Sequence, residues 1–207
     1  KDQIGSNEIV VRRAHENELM TTLDDQERKL LDTDIVITNG KQPIALGGVM
    51  GGDFSEVTPQ TQNVVVEGAI FDSVSIRHTS RRLNLRSESS SRFEKGLATE
   101  FLDEAVDRAC YLLETLASGQ VLSGRVSDGD LGALTTEIKI TTDKVNRTVG
   151  FNLTEADIIR VFNQLGFETE VDGSEITVKV PSRRRDITIQ ADLIEEIARI
   201  YGYDNIP

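Results

Sequence analysis

Four carboxylates near the end of the chain, Asp186, Asp192, Glu195 and Glu196, hold its densest potential chemistry. They lie in the run PSRRRDITIQADLIEEIARIYGYDNIP, where Arg183, Arg184 and Arg185 lead straight into Asp186 and a helix is expected to begin at Asp192. Residues i, i+3 and i+4 of a helix share one face, so Asp192, Glu195 and Glu196 can point together, with Asp186 brought up from the preceding turn. Such a group either binds a hard cation or pairs with arginines. Mg²⁺ takes octahedral oxygen ligands and keeps waters, so one or two carboxylates plus a partner ligand suit it better than a closed cage of four. Acids in the first turn of a helix are also favoured by its dipole, by roughly 0.3 to 1 kcal/mol each, with no ion present. Spacing alone leaves both uses open, and arginine pairing is the simpler.

Three further features invite a chemical interpretation. The glycine-rich Gly47-Gly48-Val49-Met50-Gly51-Gly52 lacks the Lys-Ser/Thr of a phosphate-binding P-loop and the G-x-G-x-x-G spacing of a dinucleotide fold. Its glycines are read as a turn requiring positive φ, as a close approach of two backbones, or as the lining of a small pocket. Glu67 follows Val64-Val65-Val66 in what reads as a buried strand. A buried carboxylate is costly unless paired, so Glu67 either meets an arginine or reads a ligand hydroxyl or amine. Ser87 and the triplet Ser89-Ser90-Ser91 offer hydroxyls, but His15 and His78 are the only imidazoles, and no serine-hydrolase triad follows from the sequence. His78 reads as a surface or packing residue, and Cys110 as core.

The elements that must position these groups fall into two sets. Residues 8–12, 28–31, 34–38 and 43–46 read as short strands, with Asn39-Gly40 as a hairpin turn, and residues 63–71 as an apolar strand buried on both faces. A polar helical stretch follows from Asp72. An amphipathic helix is then expected over 99–118, with the stripe Leu102, Val106, Ala109, Cys110, Leu113 and Leu116, and with Gly119 as its left-handed stop. Strands are expected at 120–126 and 135–140, with a loop over 127–133 that marks the domain boundary. The remainder reads as helices at 142–149 and 154–165, a hairpin turned by Asp172-Gly173, and the closing helix. Thr154 with Asp157 approximates a capping box. The fold class expected is α+β: a mixed, sandwich-like first domain over 1–133, then a small three-helix, winged-helix-like domain with a β-hairpin over 134–207.

Composition narrows the classes further. The 38% hydrophobic and 28% charged residues are those of a globular domain, and no apolar run approaches the roughly 20 residues of a membrane span. The single cysteine excludes an intrachain disulfide and a cysteine-based zinc site, and fits a reducing, cytoplasmic setting. Lys1 opens the chain without an initiator Met or a signal-peptide pattern, which gives the expectation of an excised, interior piece. The net charge of −12 opposes nucleic acid on average. Any RNA contact must therefore be local, through Arg77, Arg81, Arg82, Arg86 and Arg92 or through Arg183 to Arg185. No DNA binding is expected.

The residues also resemble a known family, the β subunits of bacterial phenylalanine-tRNA ligase, over essentially the whole chain. The resemblance rests on Ala45-Leu46-Gly47-Gly48-Val49-Met50-Gly51-Gly52, Glu67-Gly68-Ala69-Ile70-Phe71 and Leu85-Arg86-Ser87-Glu88-Ser89-Ser90-Ser91-Arg92-Phe93-Glu94-Lys95-Gly96. In the second part it rests on Arg185-Asp186-Ile187, Asp192-Leu193-Ile194-Glu195-Glu196-Ile197-Ala198-Arg199-Ile200-Tyr201-Gly202-Tyr203 and Ile206-Pro207.

The resemblance implies an editing domain followed by a small domain docking on an α subunit, in an enzyme that joins phenylalanine to tRNA(Phe) using ATP. The editing pocket of the family hydrolyses tyrosine wrongly joined to the tRNA, an error that arises because one added hydroxyl is hard for an apolar synthesis pocket to reject. By resemblance, Glu67 reads that hydroxyl, Gly51 lines the pocket, and Ser87 and Ser89 take the places of a threonine and an alanine. Leu97-Ala98-Thr99 replaces the usual Asp-Pro. The family's His-Ala-Phe-Asp segment would precede Lys1, so part of the pocket is expected to lie outside this chain and the piece alone to deacylate Tyr-tRNA at a negligible rate. Asp186, Asp192, Glu195 and Glu196 match residues that share a Mg²⁺ with the α subunit. The rival is a non-catalytic subunit-docking scaffold.

Overall fold

The computed structural model describes residues 1–129 and 135–206. Contacts divide the chain into two compact units, Lys1–Leu97 with Phe101–Val126, and Ala98–Glu100 with Ser127–Pro207. The boundary expected between residues 133 and 134 lies outside the described residues.

In the first unit, strands β1 (Val10–Arg13), β4 (Ile35–Thr38), β5 (Pro43–Leu46) and β6 (Met50–Gly51) form a four-stranded antiparallel sheet in that order. The alternation legible in residues 34–46 has a direct outcome: Val36, Ile44 and Leu46 are buried, and Asn39 Oδ1 accepts the backbone N–H groups of Lys41 and Gln42 to close the turn. A second, two-stranded ribbon pairs β2 (Leu19–Thr21) with β3 (Glu27–Lys29). Leu30, Val36, Val49 and Ile76 centre the core.

Helix α1 (Ser73–Arg82) is capped by Asp72, whose side chain accepts from Ser75 N at 2.8 Å. It is tied to the sheet through Asp34, which is 1% exposed and accepts from Thr79 Oγ1 at 2.6 Å, from Leu31 N at 2.9 Å and from Arg82. A carboxylate so deep in a core is tolerable because every partner is present. Helix α2 (Glu88–Phe93) follows, and Phe93 meets Phe71 edge to face at 5.1 Å.

Helix α3 (Leu102–Ala117) differs from expectation in two ways. Its stripe is nowhere fully buried: Cys110 is half-buried rather than core, and Leu116 is 78% exposed. Its left-handed terminator is Ser118 at φ 51°, with the N–H of Gly119 closing on Leu113 O at 3.1 Å. Residues 63–71 and 120–126 form no strand. Val64, Val65 and Leu122 are exposed, because apolar β-branched residues make a strand only where a neighbour accepts the ladder.

The second unit is a three-stranded antiparallel sheet of β7 (Thr135–Thr141), β9 (Glu175–Pro181) and β8 (Glu168–Asp172), in that order, with three helices. They are α4 (Thr142–Val149), α5 (Glu155–Gln164) and α6 (Gln190–Tyr201). The capping box on α5 forms with Asp in the acidic role: Asp157 Oδ2 accepts from Thr154 N at 3.0 Å and Thr154 Oγ1 accepts from Asp157 N at 3.3 Å. The hairpin turns at Gly173, and Ile176, Val178 and Val180 alternate into a core with Ile158, Phe162, Leu193 and Ile197. The expected α+β class holds, and β7 extends the expected hairpin into a sheet.

Candidate functional site

The glycine-rich segment forms a turn and the short strand β6. Gly48 takes φ 67°, and at Gly52 a Cβ would stand 2.7 Å from Ile44 O, so one glycine serves a left-handed backbone and the other a close approach of two strands. Gly51 lies in β6, half-buried, where a Cβ would meet Leu23 Cδ1 at 2.9 Å.

Two of the expected pocket residues fasten this turn. Ser87 is the N-cap of α2: its Oγ accepts from Ser90 N at 3.0 Å and donates to Val49 O at 2.5 Å. Ser89 Oγ donates to Gly48 O at 3.0 Å. Ser87 and Ser89 thus form one clasp between the turn at Gly48-Val49 and the start of α2, and Gly51 follows two residues after Val49. Both hydroxyl protons are held by backbone carbonyls. Neither serine has an imidazole partner among the described residues, so neither is arranged as an activated nucleophile.

Glu67 stands apart. It lies in the irregular segment that precedes Phe71, where a Cβ on the neighbouring Gly68 would strike Val106 Cγ2 at 2.4 Å. The expected arginine partner is not there: no hydrogen bond or ion pair engages its carboxylate among the described residues. Glu67 is exposed and lies in no strand, contrary to the buried strand expected; nearby protein raises its pKa above the ordinary glutamate value by desolvation, an effect that solvent access weakens. No bond joins Glu67 to Gly51, Ser87 or Ser89.

In the second unit the four carboxylates do not gather. The helix begins at Gln190, two residues before the expected start, and Asp192 reaches back from its first turn to accept from Thr188 N at 2.8 Å and Ile189 N at 3.0 Å. Those backbone bonds lower its pKa. Arg184 lies between two of the others, donating from Nε to Asp186 Oδ1 at 2.9 Å, from Nη2 to Asp186 Oδ2 at 2.6 Å and from Nη1 to Glu196 Oε2 at 2.8 Å. Its Cζ also sits 5.8 Å from the Phe167 ring centroid.

Glu196, only 7% exposed, takes a second guanidinium from Arg199 at 2.8 Å. Arg199 first and Arg184 second pull its pKa down to about 2. Glu195 is exposed and unpartnered among the described residues. As arranged, the set does not fit Mg²⁺: the guanidinium of Arg184 fills the position between Asp186 and Glu196, Asp192 caps a helix, and no group of three or more His, Cys, Asp or Glu among the described residues is placed to hold an ion. Arginine pairing, the simpler use of these acids, is realised at Asp186 and Glu196, while Asp192 serves as a helix cap. The sequence reading missed Arg199, although its i, i+3 spacing from Glu196 was the available signal. It also missed Asp34, whose side-chain partners Thr79 and Arg82 lie more than forty residues away.

Comparison with known proteins agrees with this division. Residues 1–118 match the B3/4 domain and residues 138–203 the tRNA synthetase B5 domain. Over all 207 residues the chain is 75% identical to the phenylalanine–tRNA ligase beta subunit of Staphylococcus epidermidis and 72% identical to that of Staphylococcus aureus. It spans 26% of the length of each of these curated relatives. A crystal structure of an N-terminal fragment of the phenylalanyl-tRNA synthetase beta-subunit from Pyrococcus horikoshii shares the fold, with a TM-score of 0.50 and 15% identity over 98% of this chain and 58% of that one. The chain belongs to the B3/4 domain family, and along its whole length it is a relative of phenylalanine–tRNA ligase beta subunits.

Proposed function

We propose that the chain is the editing and B5 portion of a phenylalanine–tRNA ligase beta subunit, in an enzyme that uses ATP to join phenylalanine to tRNA(Phe) in the cytoplasm. Its first unit clears tyrosine from mischarged tRNA, and its second docks on the α subunit. The observation that carries the editing role is the carboxylate of Glu67, exposed and engaged by no hydrogen bond or ion pair among the described residues. A carboxylate with no protein partner accepts a hydrogen bond from a tyrosine hydroxyl. Phenylalanine, lacking that group, leaves it unpaired, and sites built to bond a hydroxyl reject analogues without one strongly.

Water is the nucleophile. Ser87 and Ser89 already donate to Val49 and Gly48 carbonyls, so their part is to fix the turn beside Gly51. Ser89 keeps oxygen lone pairs free to accept from a substrate hydroxyl or ammonium. A Mg²⁺ on Asp186, Asp192, Glu195 and Glu196 in the assembled enzyme requires Arg184 to release two carboxylates. The test is Tyr-tRNA deacylation by the assembled enzyme with and without residues 1–126. Removal abolishes Tyr-tRNA clearance and leaves phenylalanine activation intact; clearance that survives removal overturns the editing role.

A second assignment, a non-catalytic docking scaffold, is favoured for the second unit alone. Two of its acids, Asp186 and Glu196, are paired with Arg184 and Arg199.

A further inference from the structure

The basic residues of α1 and α2 divide sharply by partner. Arg82 is bound to Asp34 and to Lys29 O, Arg92 is paired with Glu88 at 2.6 Å, and Arg86 Nε donates to Ser91 Oγ at 3.3 Å. Arg77 and Arg81 have neither a carboxylate nor a hydrogen-bond partner among the described residues. In a chain of net charge −12, two adjacent unpaired guanidinium groups stand out from the surrounding pattern. One helical turn apart, they share a face of α1, and with His78 they line a depression of about 340 Å³. Arg81 lies in the last turn, where the helix dipole favours a cation, but Arg77 lies a turn earlier and gains little from it.

We infer that Arg77 and Arg81 form a phosphate-contact patch for an RNA strand. Each planar guanidinium presents a fork that matches two phosphate oxygens, and a pair of forks one turn apart positions a backbone without reading its bases. The choice of RNA over another polyanion rests on the ligase assignment above. An acidic protein surface is the rival occupant, and the patch does not touch Glu67, Gly51, Ser87 or Ser89 by any hydrogen bond. The patch also narrows the RNA contact expected from the sequence, since Arg82 and Arg92 are already engaged.

The experiment measures tRNA affinity of the full-length assembled enzyme across a salt series, for the parent, for Arg77→Gln with Arg81→Gln, and for Lys1→Gln with Lys41→Gln as an equal change of charge elsewhere on the same unit. Loss of two phosphate contacts lowers the slope of log affinity against log salt by about 1.4 for a single strand and weakens binding severalfold at low salt. The lysine control shifts affinity less than about twofold, because distant exposed charges are screened. Arg77→Lys with Arg81→Lys, which keeps the charge, retains most of the slope. A double glutamine variant that is folded by circular dichroism and keeps the parental slope overturns the patch while the ligase assignment stands. A parent enzyme that neither binds nor charges tRNA overturns both. A variant that loses subunit assembly but not RNA affinity gives the patch to a protein partner, and the RNA assignment fails.

Discussion

Arg184 Nη1 lies 2.8 Å from Oε2 of Glu196, and the same guanidinium grips Asp186 on its other edge. Two acids expected to face a metal are thereby joined by an arginine, and the turn at residues 182–187 is fastened to the middle of α6. Charge-assisted forks of this kind combine attraction with fixed geometry. Arg184→Ala leaves Glu196 buried with Arg199 alone, and is expected to lower stability by about 2–3 kcal/mol. Urea unfolding of the single and double variants with Glu196→Ala checks it. A double-mutant coupling near zero would show that the bond contributes nothing.

Asp192 supplies a separate test of what the acids are for. Its carboxylate caps α6 through Thr188 N and Ile189 N, so Asp192→Ala is expected to destabilise the second unit in metal-free buffer. Thermal unfolding in excess chelator reads this directly. A variant as stable as the parent under chelation, and weaker only when Mg²⁺ is present, would return Asp192 to a purely metal-binding use.

Gly52 tests the clasp from the sheet side. A methyl group there meets Ile44 O at 2.7 Å and Met20 Cε at 2.8 Å, and the backbone oxygen cannot step aside. Gly52→Ala is expected to lower stability by about 1–3 kcal/mol, with Tyr-tRNA clearance reduced because Gly51 and the carbonyls of Gly48 and Val49 move with it. Stability measured by urea unfolding, alongside clearance rate, separates the two effects.

How much of this was legible in the sequence varies with the range of the forces involved. The hairpin at Asn39-Gly40, the alternating Ile176, Val178 and Val180, and the Thr154–Asp157 box are set by neighbours within a few residues, and each stands where its spacing placed it. Residues 63–71 mislead because Val64-Val65-Val66 state a preference for burial without naming what provides it. In the fold that segment forms no strand, and Gly68 packs against Leu102 and Val106 of α3 rather than in a ladder. The stripe on α3 is legible as a stripe, while its exposure is not, since burial depends on what packs against it. The four acids show the same limit. Their spacing gave both candidate uses, and the choice between them turned on where Arg184 and Arg199 point, a matter of tertiary geometry.

The pH response of Glu67 has a definite sign. Desolvation raises its folded pKa above the unfolded value, so protonation favours the fold, and that contribution is lost as pH rises from the ordinary glutamate value through the raised one. At neutral pH the ionised carboxylate therefore opposes folding, weakly, because solvent reaches the exposed residue. Glu67→Gln is expected to be more stable than the parent at pH 7 and to lose that advantage toward pH 4, as thermal unfolding at the two pH values would show. An advantage that persists unchanged into acid would place its origin in packing rather than charge.

The most direct test of the central claim is the ratio of Tyr-tRNA to Phe-tRNA deacylation rates by the full-length assembled enzyme carrying Glu67→Ala. With the hydroxyl-reading carboxylate gone, the preference for Tyr-tRNA is expected to collapse toward parity, while phenylalanine charging is retained. A variant that keeps the parental preference would contradict the account and remove Glu67 from substrate discrimination.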